Sequence, residues 1–331
     1  MNFPKASLLI LALILTITLA GCGSDDSVQS VPNFVNLQSD SGDYIGGGQT
    51  YTYNQANAKL VVSATGGHLS ISIDGDQKWS GDFQVPSSLN KLQIGRYDNL
   101  QRYPGQDPVK GGLNWSGEGR GSNTLTGWFA IDNVTYVNGT LTAIDLRFEQ
   151  HSEGAPPALH GQIHWESSDT TTPPGPVNPP PAGLWQPASG STPSTGNYIY
   201  LQSDTGDYIG SGQTYTYTPA NAQITVSVSE GHLSIIIDGI ENWAGDFHTM
   251  DILNQLQQGY YGNLQRYPFH NPAKGGLNWA GEGRGSNTLT GWFAIDSVTY
   301  VNGALTVIDL RFEQHSEGVA PALYGQIHWI Q

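Results

Sequence analysis

The chain has 331 residues and a net charge of −15, from 28 acidic and 13 basic side chains. This acidic character argues against nucleic acid as a partner, because phosphate binding requires clustered lysine and arginine. The 42 glycines and the low charged fraction of 12% favour turns and β-strands over helices.

The first residues have the pattern of an export signal. Lys5 supplies a positive start, and the apolar stretch from Leu8 to Leu19 is too short to span a bilayer comfortably. The stretch ends in Leu19-Ala20-Gly21-Cys22, which resembles the lipobox of bacterial lipoproteins. In that family the chain is cut before the cysteine, whose thiol and amine then carry acyl chains. The alternative is an ordinary secretory signal with an incidental cysteine.

The lipobox resemblance implies a location. Residues 1–21 would be a signal peptide, Cys22 the lipidated residue, and residues 22–34 a polar tether. Several acyl chains anchor a protein stably, unlike a single myristoyl group. Gly23 rather than aspartate follows the cysteine, which in the enteric sorting rule of this family implies the outer membrane. We therefore expect a protein of the bacterial cell envelope that is attached to the membrane through its N-terminal lipid.

The remainder of the chain is a duplication without insertion or deletion. Leu37-Gln38-Ser39-Asp40 returns 164 positions later as Leu201-Gln202-Ser203-Asp204. Residues 37–165 and 201–329 align throughout. Each copy is therefore a control on the other, because a group of residues that is present in one copy alone cannot serve a function common to both.

The repeats predict two domains joined by a linker. We place the domains at residues 35–166 and 198–331, and the linker, rich in proline, threonine and serine, at 167–197. The proline part should be a semi-rigid polyproline II segment, and the serine and glycine part flexible. Trp185 is the one large aromatic residue of the linker, and the sequence leaves open whether it packs on a domain or is exposed.

Within each repeat, apolar and polar residues alternate as in strands with one buried face. The clearest element is a hairpin from Leu125 to His151 around the turn Asn138-Gly139. Its return strand places one set of side chains on the polar face: Asp145, Arg147, Glu149 and His151. No segment sustains the 3.6-residue period of a helix over three turns. The patterns predict an all-β chain with two tandem antiparallel domains, each resembling a β-sandwich or jelly roll.

One block differs less between the copies than the rest. Residues 111–154 and 275–318 differ at only four positions, whereas residues 55–110 differ from 219–274 at nearly half of theirs. Recent duplication alone should spread the differences evenly. The block is therefore constrained either by packing of a central hairpin or by a functional surface, and the sequence leaves both open.

The constrained block also carries a resemblance. Together with Gly42-Asp43-Tyr44-Ile45-Gly46 and Arg102-Tyr103-Pro104, it is similar to an exported bacterial module found in multidomain surface proteins. Members of that family often have cysteine at the positions of Ser122 and Ser152, so the resemblance implies that a structural disulfide has been lost here. It implies no activity and assigns no functional residue.

Metal binding is not predicted. Asp74-Gly75-Asp76 suggests a calcium loop, but the second copy reads Asp238-Gly239-Ile240 and lacks the second carboxylate. Three histidines recur in both copies, and three imidazoles could hold zinc if the fold gathered them. Nothing in their spacing indicates this, so we expect half-buried structural histidines and no cofactor: His68, His151 and His164, repeated as His232, His315 and His328.

Glu118 and Glu149 are the candidate acid–base pair, repeated as Glu282 and Glu313. Two carboxylates roughly 5–9 Å apart would suit glycoside hydrolysis. His151 and its counterpart His315 lie beside the second carboxylate of each pair. The alternative, which we favour, is that the glutamates form structural ion pairs with nearby arginines.

Tryptophans are the candidate binding residues. The best surface candidates are Trp115 and Trp128, with their counterparts Trp279 and Trp292. Exposed aromatic rings beside polar side chains suit sugars, whose C–H faces stack while their hydroxyls form hydrogen bonds. The prediction is a lipid-anchored protein with two non-catalytic modules that bind carbohydrate or another surface polymer. The alternatives are a structural or adhesive protein that contacts protein partners and, third, a hydrolase.

Overall fold

The computed structural model describes residues 31–331. Cys22 and the predicted signal peptide lie outside the described residues. Pro32–Gln331 forms one compact unit in which all the regular elements are β-strands. A helix with the length and hydrophobicity of a transmembrane span is absent from residues 31–331.

Each repeat contributes ten strands. The strands of repeat 1 are β1 (Phe34–Ser39), β2 (Thr50–Asn54), β3 (Lys59–Thr65), β4 (His68–Asp74), β5 (Lys78–Gln84), β6 (Gly95–Arg102), β7 (Gly112–Gly117), β8 (Leu125–Val137), β9 (Thr140–Ser152) and β10 (Leu159–Glu166). Those of repeat 2 are β11 (Tyr198–Ser203), β12 (Thr214–Tyr217), β13 (Gln223–Ser229), β14 (His232–Asp238), β15 (Trp243–His248), β16 (Gly259–Arg266), β17 (Gly276–Gly281), β18 (Leu289–Val301), β19 (Ala304–Ser316) and β20 (Leu323–Ile330).

The strand order of repeat 1 is β2-β1-β10-β9-β8-β6-β7-β5-β4-β3, and repeat 2 has the equivalent order. The edge strands β2 and β3 are consecutive in the chain, so the short connection 55–58 brings the two edges together and the sheet nearly closes into a barrel-like shape. The prediction of an all-β chain with two tandem domains is confirmed. One pairing in each repeat is parallel rather than antiparallel: β6 and β7 pair at Gln101–Gly112 and Arg102–Leu113, and β16 and β17 pair at the equivalent positions.

The inner face of the folded sheet forms the core of each repeat. In repeat 1 the indole of Trp115 stacks on Phe148 with ring centres 5.1 Å apart, and Phe83 packs against both rings. Gly81 on β5 makes room for the indole, because a Cβ there would lie 2.2 Å from it. Repeat 2 has the same arrangement.

A buried glutamine completes the hydrogen bonding of β7. Beyond Leu113, β7 pairs with β5 alone, which leaves its other edge without a strand partner. The fully buried Gln150 supplies the missing partner: its Oε1 accepts from the Trp115 N–H at 2.7 Å and its Nε2 donates to the Trp115 carbonyl at 2.9 Å. Gln150 and Trp115 both belong to the constrained block, so packing accounts for part of that constraint.

The two repeats contact each other through the turn between β4 and β5. The carboxylate in this turn, Asp76, has no counterpart in repeat 2, where the matching residue is Ile240. Asp76 accepts hydrogen bonds from the Asn271 side chain at 2.9 Å and from Lys274 at 2.6 Å. Lys59 adds an ion pair with Asp251 at 3.5 Å. Asp76 belongs to the turn that suggested a calcium loop in the sequence, and in the structure it contributes to the contact between the repeats.

Candidate functional site

The outer face of β8, β9, β10, β1 and β2 carries several of the predicted site residues. Directly paired residues on neighbouring strands point to the same side of a sheet. The register therefore aligns two rows of side chains across these strands in repeat 1. The first row is Trp128, Glu149, His160, Gln38 and Thr50, and the second is Ala130, Arg147, Gln162, Asn36 and Thr52. We call these two rows the repeat 1 face.

The repeat 1 face forms a shallow groove with a volume of about 370 Å³. Trp128 is partly exposed at one end, and the guanidinium of Arg96 lies 4.1 Å from the centre of its indole ring. Arg96 itself is exposed and pairs with Asp98 at 2.8 Å. The groove thus combines the indole of Trp128 with amide and hydroxyl groups that can both donate and accept hydrogen bonds.

Arg147 is held in place on this face by an aspartate. Its Nε and Nη2 donate to the two carboxylate oxygens of Asp132 at 2.7 and 2.9 Å. The hydrogen bonds from Arg147 lower the pKa of the Asp132 carboxyl below its usual range. A bidentate pair of this kind fixes the orientation of the guanidinium and strengthens the ion pair.

His151 and Glu149 form a second polar pair beside the groove. The His151 Nε2 lies 3.0 Å from the Glu149 carboxylate, and its Nδ1 lies 3.2 Å from the Ala155 carbonyl. Burial disfavours the charged ring, but these two acceptors outweigh burial and raise the pKa of His151. His160 approaches the other oxygen of Glu149 at 3.5 Å. In repeat 2, His315 and Glu313 pair in the same way at 2.8 Å.

Glu118 does not join Glu149. It is exposed in the turn after β7, and its carboxylate accepts a hydrogen bond from the Lys78 backbone N–H at 2.7 Å. Glu282 binds the Asn242 N–H in the same way at 2.6 Å. The first carboxylate of each predicted acid–base pair therefore fixes the start of a strand, while the second lies beside a histidine on the outer face. The expected ion pairs of these glutamates with arginine are replaced by these contacts.

The predicted surface position of Trp115 and Trp279 is wrong. Both indoles are fully buried against phenylalanine rings in the core. The strand that carries Trp115 is short, and Leu113 two positions earlier shares its inward direction. In so short a strand, the alternation of residues does not show which face is buried. The buried face is decided by packing against side chains of other strands in the core.

The matching face of repeat 2 is covered by the linker. We call it the repeat 2 face; its rows are Trp292, Glu313, Tyr324, Gln202 and Thr214, and Ala294, Arg311, Gln326, Tyr200 and Thr216. The Trp185 ring stacks on Tyr324 with centres 5.2 Å apart and on Tyr200 at 6.4 Å. Arg311 donates to the Trp185 carbonyl at 2.8 Å. Residue 185 is thus packed on a domain, which the sequence had left open.

The linker also pairs with β16, the strand next to the repeat 2 face. The backbone N–H groups of Val177 and Tyr260 donate to each other's carbonyls, at 3.0 and 2.8 Å. Tyr260 itself packs against Trp292 with ring centres 5.9 Å apart, and Trp292 is only 8% exposed. The side chain of Arg311 is 10% exposed, whereas that of Arg147 at the matching position is 53% exposed. One of the two duplicated faces is therefore open and the other closed.

Sequence reasoning missed the polar residues of these faces, although a signal was present. Gln38, Thr50, Thr52 and Gln162 are identical in both copies even though they lie outside the constrained block. Conversely, the rings that receive Trp185 are found only in repeat 2: Tyr200 and Tyr324 replace Asn36 and His160. The residues that are identical in both copies belong to the face that the two repeats share. The residues that differ, Tyr200 and Tyr324, contact the linker in repeat 2.

Comparisons of the chain with protein-family models, with curated proteins and with solved structures gave no match.

Proposed function

We propose that this chain is a lipid-anchored protein of the bacterial cell envelope whose repeat 1 face binds carbohydrate or another surface polymer without catalysis. The anchor and the outer-membrane destination rest on Leu19-Ala20-Gly21-Cys22 and Gly23, which resemble a lipoprotein signal. The binding role rests on the open groove that starts at Trp128.

The chemistry of the groove supports a sugar ligand. A sugar ring presents C–H groups to an aromatic face and hydroxyls at its rim. Trp128 offers the aromatic surface, and Gln162, Asn36 and Gln38 offer side-chain amides that donate and accept. A ligand that stacks on this side of the indole would displace the exposed Arg96 guanidinium, which lies over the ring. Glu149 faces the same side but pairs with His151, which favours binding over acid catalysis.

The asymmetry between the two faces is the observation that carries this proposal. The repeat 1 face is open, while the linker covers the same rows in repeat 2. Two open modules would have increased avidity. With one open face, the chain should bind its polymer at one site for each molecule.

A protein partner is the second candidate, and one observation favours it. The repeat 2 face already holds a peptide segment, since Trp185 of the linker stacks on Tyr324 and Val177 pairs with Tyr260 on the neighbouring strand β16. A partner that presents a peptide segment with a ring at the same position would use the repeat 1 face as an adhesive surface.

Polysaccharide pull-down and a glycan array with the purified full-length chain in detergent test the proposal. We expect Trp128→Ala to weaken binding at least tenfold. Trp292→Ala is the matched control and should leave binding unchanged, because that indole is covered. Thermal melting of both variants checks that each still folds.

The outcomes separate the two candidates. Absence of glycan binding by the parent chain contradicts the carbohydrate proposal. Glycan binding that survives Trp128→Ala contradicts the assigned site. Cross-linking of a protein neighbour on cells that is lost in Trp128→Ala, with no glycan bound, supports the adhesive alternative.

A further inference from the structure

A separate cluster of metal-ligating side chains lies in repeat 2, away from the repeat 2 face. His248 ends β15, while Asp251 and His270 lie in the connections on either side of β16. One ligand atom from each of the three residues lies within 4.8 Å of the other two. The fold therefore gathers two imidazoles and a carboxylate from segments that are distant in the sequence.

His270 points to a missing ligand. The residue is only 7% exposed, and neither of its ring nitrogens has a hydrogen-bond partner within the described residues. Buried polar groups are almost always paired, so a buried imidazole with two unpaired nitrogens requires an explanation. A bound metal ion would satisfy one nitrogen directly.

His248 is already prepared to bind a metal. Its Nδ1 lies 2.6 Å from the Thr249 carbonyl oxygen. A carbonyl can only accept, so Nδ1 carries the proton and Nε2 keeps its lone pair. A hydrogen bond of this kind to a backbone carbonyl commonly orients histidines that bind metals.

We propose that His248, His270 and Asp251 form a binding site for a divalent transition metal, with Zn²⁺ as the ion that fits best. Two imidazoles and one carboxylate are a common zinc set and leave a fourth position for water. Zinc bonds of about 2.0–2.2 Å place neighbouring ligand atoms about 3.3 Å apart. The groups must therefore approach by up to about 1.5 Å, and the Asp251 side chain has room to move because it is exposed.

The electrostatics of the cluster agree with this assignment. Burial, together with the neighbouring His248, lowers the pKa of His270 to about 4. The imidazole is therefore neutral at physiological pH, which is the form that binds metal ions.

Repeat 1 is a natural control that lacks the ligands. Gln84, Ser87 and Gln106 occupy the positions of His248, Asp251 and His270. Gln84 donates to the Val85 carbonyl at 3.0 Å, the same backbone contact that His248 makes. Gln106 also lies over Gly112 as His270 lies over Gly276. Glutamine therefore fits both positions in this fold without supplying an imidazole.

The site lies at the contact between the two repeats. Asp251 also pairs with Lys59 of repeat 1, and Asn271, next to His270, binds Asp76 and the Asn57 carbonyl. A metal ion at this point would fix the two connections of repeat 2 that contact repeat 1. This inference is independent of the proposed function of the repeat 1 face.

Calorimetric titration of the chelator-treated full-length chain with Zn²⁺, together with Co²⁺ absorption spectra, tests the proposal. We expect one site that gives the intense visible bands of four-coordinate cobalt. His248→Gln and His270→Gln should each weaken zinc binding by at least about 100-fold, because removing a ligand costs more than removing an outer hydrogen bond. Zinc should raise the melting temperature of the parent chain but not that of either variant.

His160→Gln is the control for adventitious histidine binding, since His160 lies near the carboxylates of Glu149 and Asp40. It should bind zinc as the parent does. The proposal is overturned if the parent binds no zinc, or if binding is lost in His160→Gln and retained in His270→Gln. Grafting the ligands into repeat 1 as Gln84→His, Ser87→Asp and Gln106→His should add a second site, which reports on the geometry without weakening repeat 2.

Discussion

Trp185 of the linker stacks on Tyr324 of repeat 2 with ring planes inclined by 19° and centres 5.2 Å apart. The residue that matches Tyr324 in repeat 1 is His160, which instead approaches Glu149 and Asp40. The duplication therefore produced two domains with the same strands but different accessibility. The difference lies in a few rings that the linker uses.

Replacing Trp185 by alanine should release the linker from the repeat 2 face. Stacked rings contribute about 0.5–1.5 kcal/mol beyond the area they bury, so the domain should stay folded. In hydrogen exchange followed by mass spectrometry, we expect the Val177 amide and its neighbours to exchange faster. The strands of repeat 1 are the internal control, and unchanged exchange at Val177 would show that Trp185 does not hold the linker.

Gln150→Leu should destabilise repeat 1 by about 2–6 kcal/mol. The change leaves the N–H and the carbonyl of Trp115 buried without a partner, at about 1–3 kcal/mol for each. Urea denaturation of the variant measures the loss. The control is Gln162→Leu, an exposed glutamine on the neighbouring strand β10, which should change stability by less than about 0.5 kcal/mol. Equal effects of the two substitutions would refute the bridging role.

Ser122→Cys with Ser152→Cys should form a disulfide. The two hydroxyl oxygens are 2.8 Å apart and buried, and the residues are 30 positions apart in the chain. Closing a loop of this length should stabilise the domain by about 3–4 kcal/mol in the chain-entropy account. Mass spectrometry before and after reduction counts the bond, and denaturation in both states measures its effect. Ser122→Cys alone is the control; thiols that stay free under an oxidant would contradict the implied ancestral bridge.

The pKa of His151 should depend on its carboxylate partner, Glu149. Its pKa is raised in the fold because the Glu149 and Ala155 acceptors outweigh burial. Its contribution to stability is therefore complete below the unfolded pKa of about 6.5 and is lost as pH rises through the folded value. NMR titration of the ring should show this elevated pKa, and Glu149→Gln should lower it. Glu313→Gln, in the other repeat, should leave it unchanged, and a folded value at or below the unfolded one would refute the assignment.

Local alternation was enough to predict much of the fold. The turn at Asn138-Gly139 and the period of two placed Arg147, Glu149 and His151 on one face, because neighbouring residues of a strand point to opposite sides. The exact duplication predicted the number of domains and the position of the linker between them. Whether residues 1–21 are a signal peptide and Cys22 is lipidated remains a prediction from the lipobox resemblance.

The sequence by itself thus determined the class of fold, the duplication and the outward direction of the β9 side chains, because each depends on neighbours within one strand or one turn. Only the tertiary structure decided that Trp115 is buried, that the linker closes one face, and that His248, Asp251 and His270 meet. Those outcomes depend on which strands and loops pack together across the sheet, and pairing between distant segments leaves no local period in the sequence.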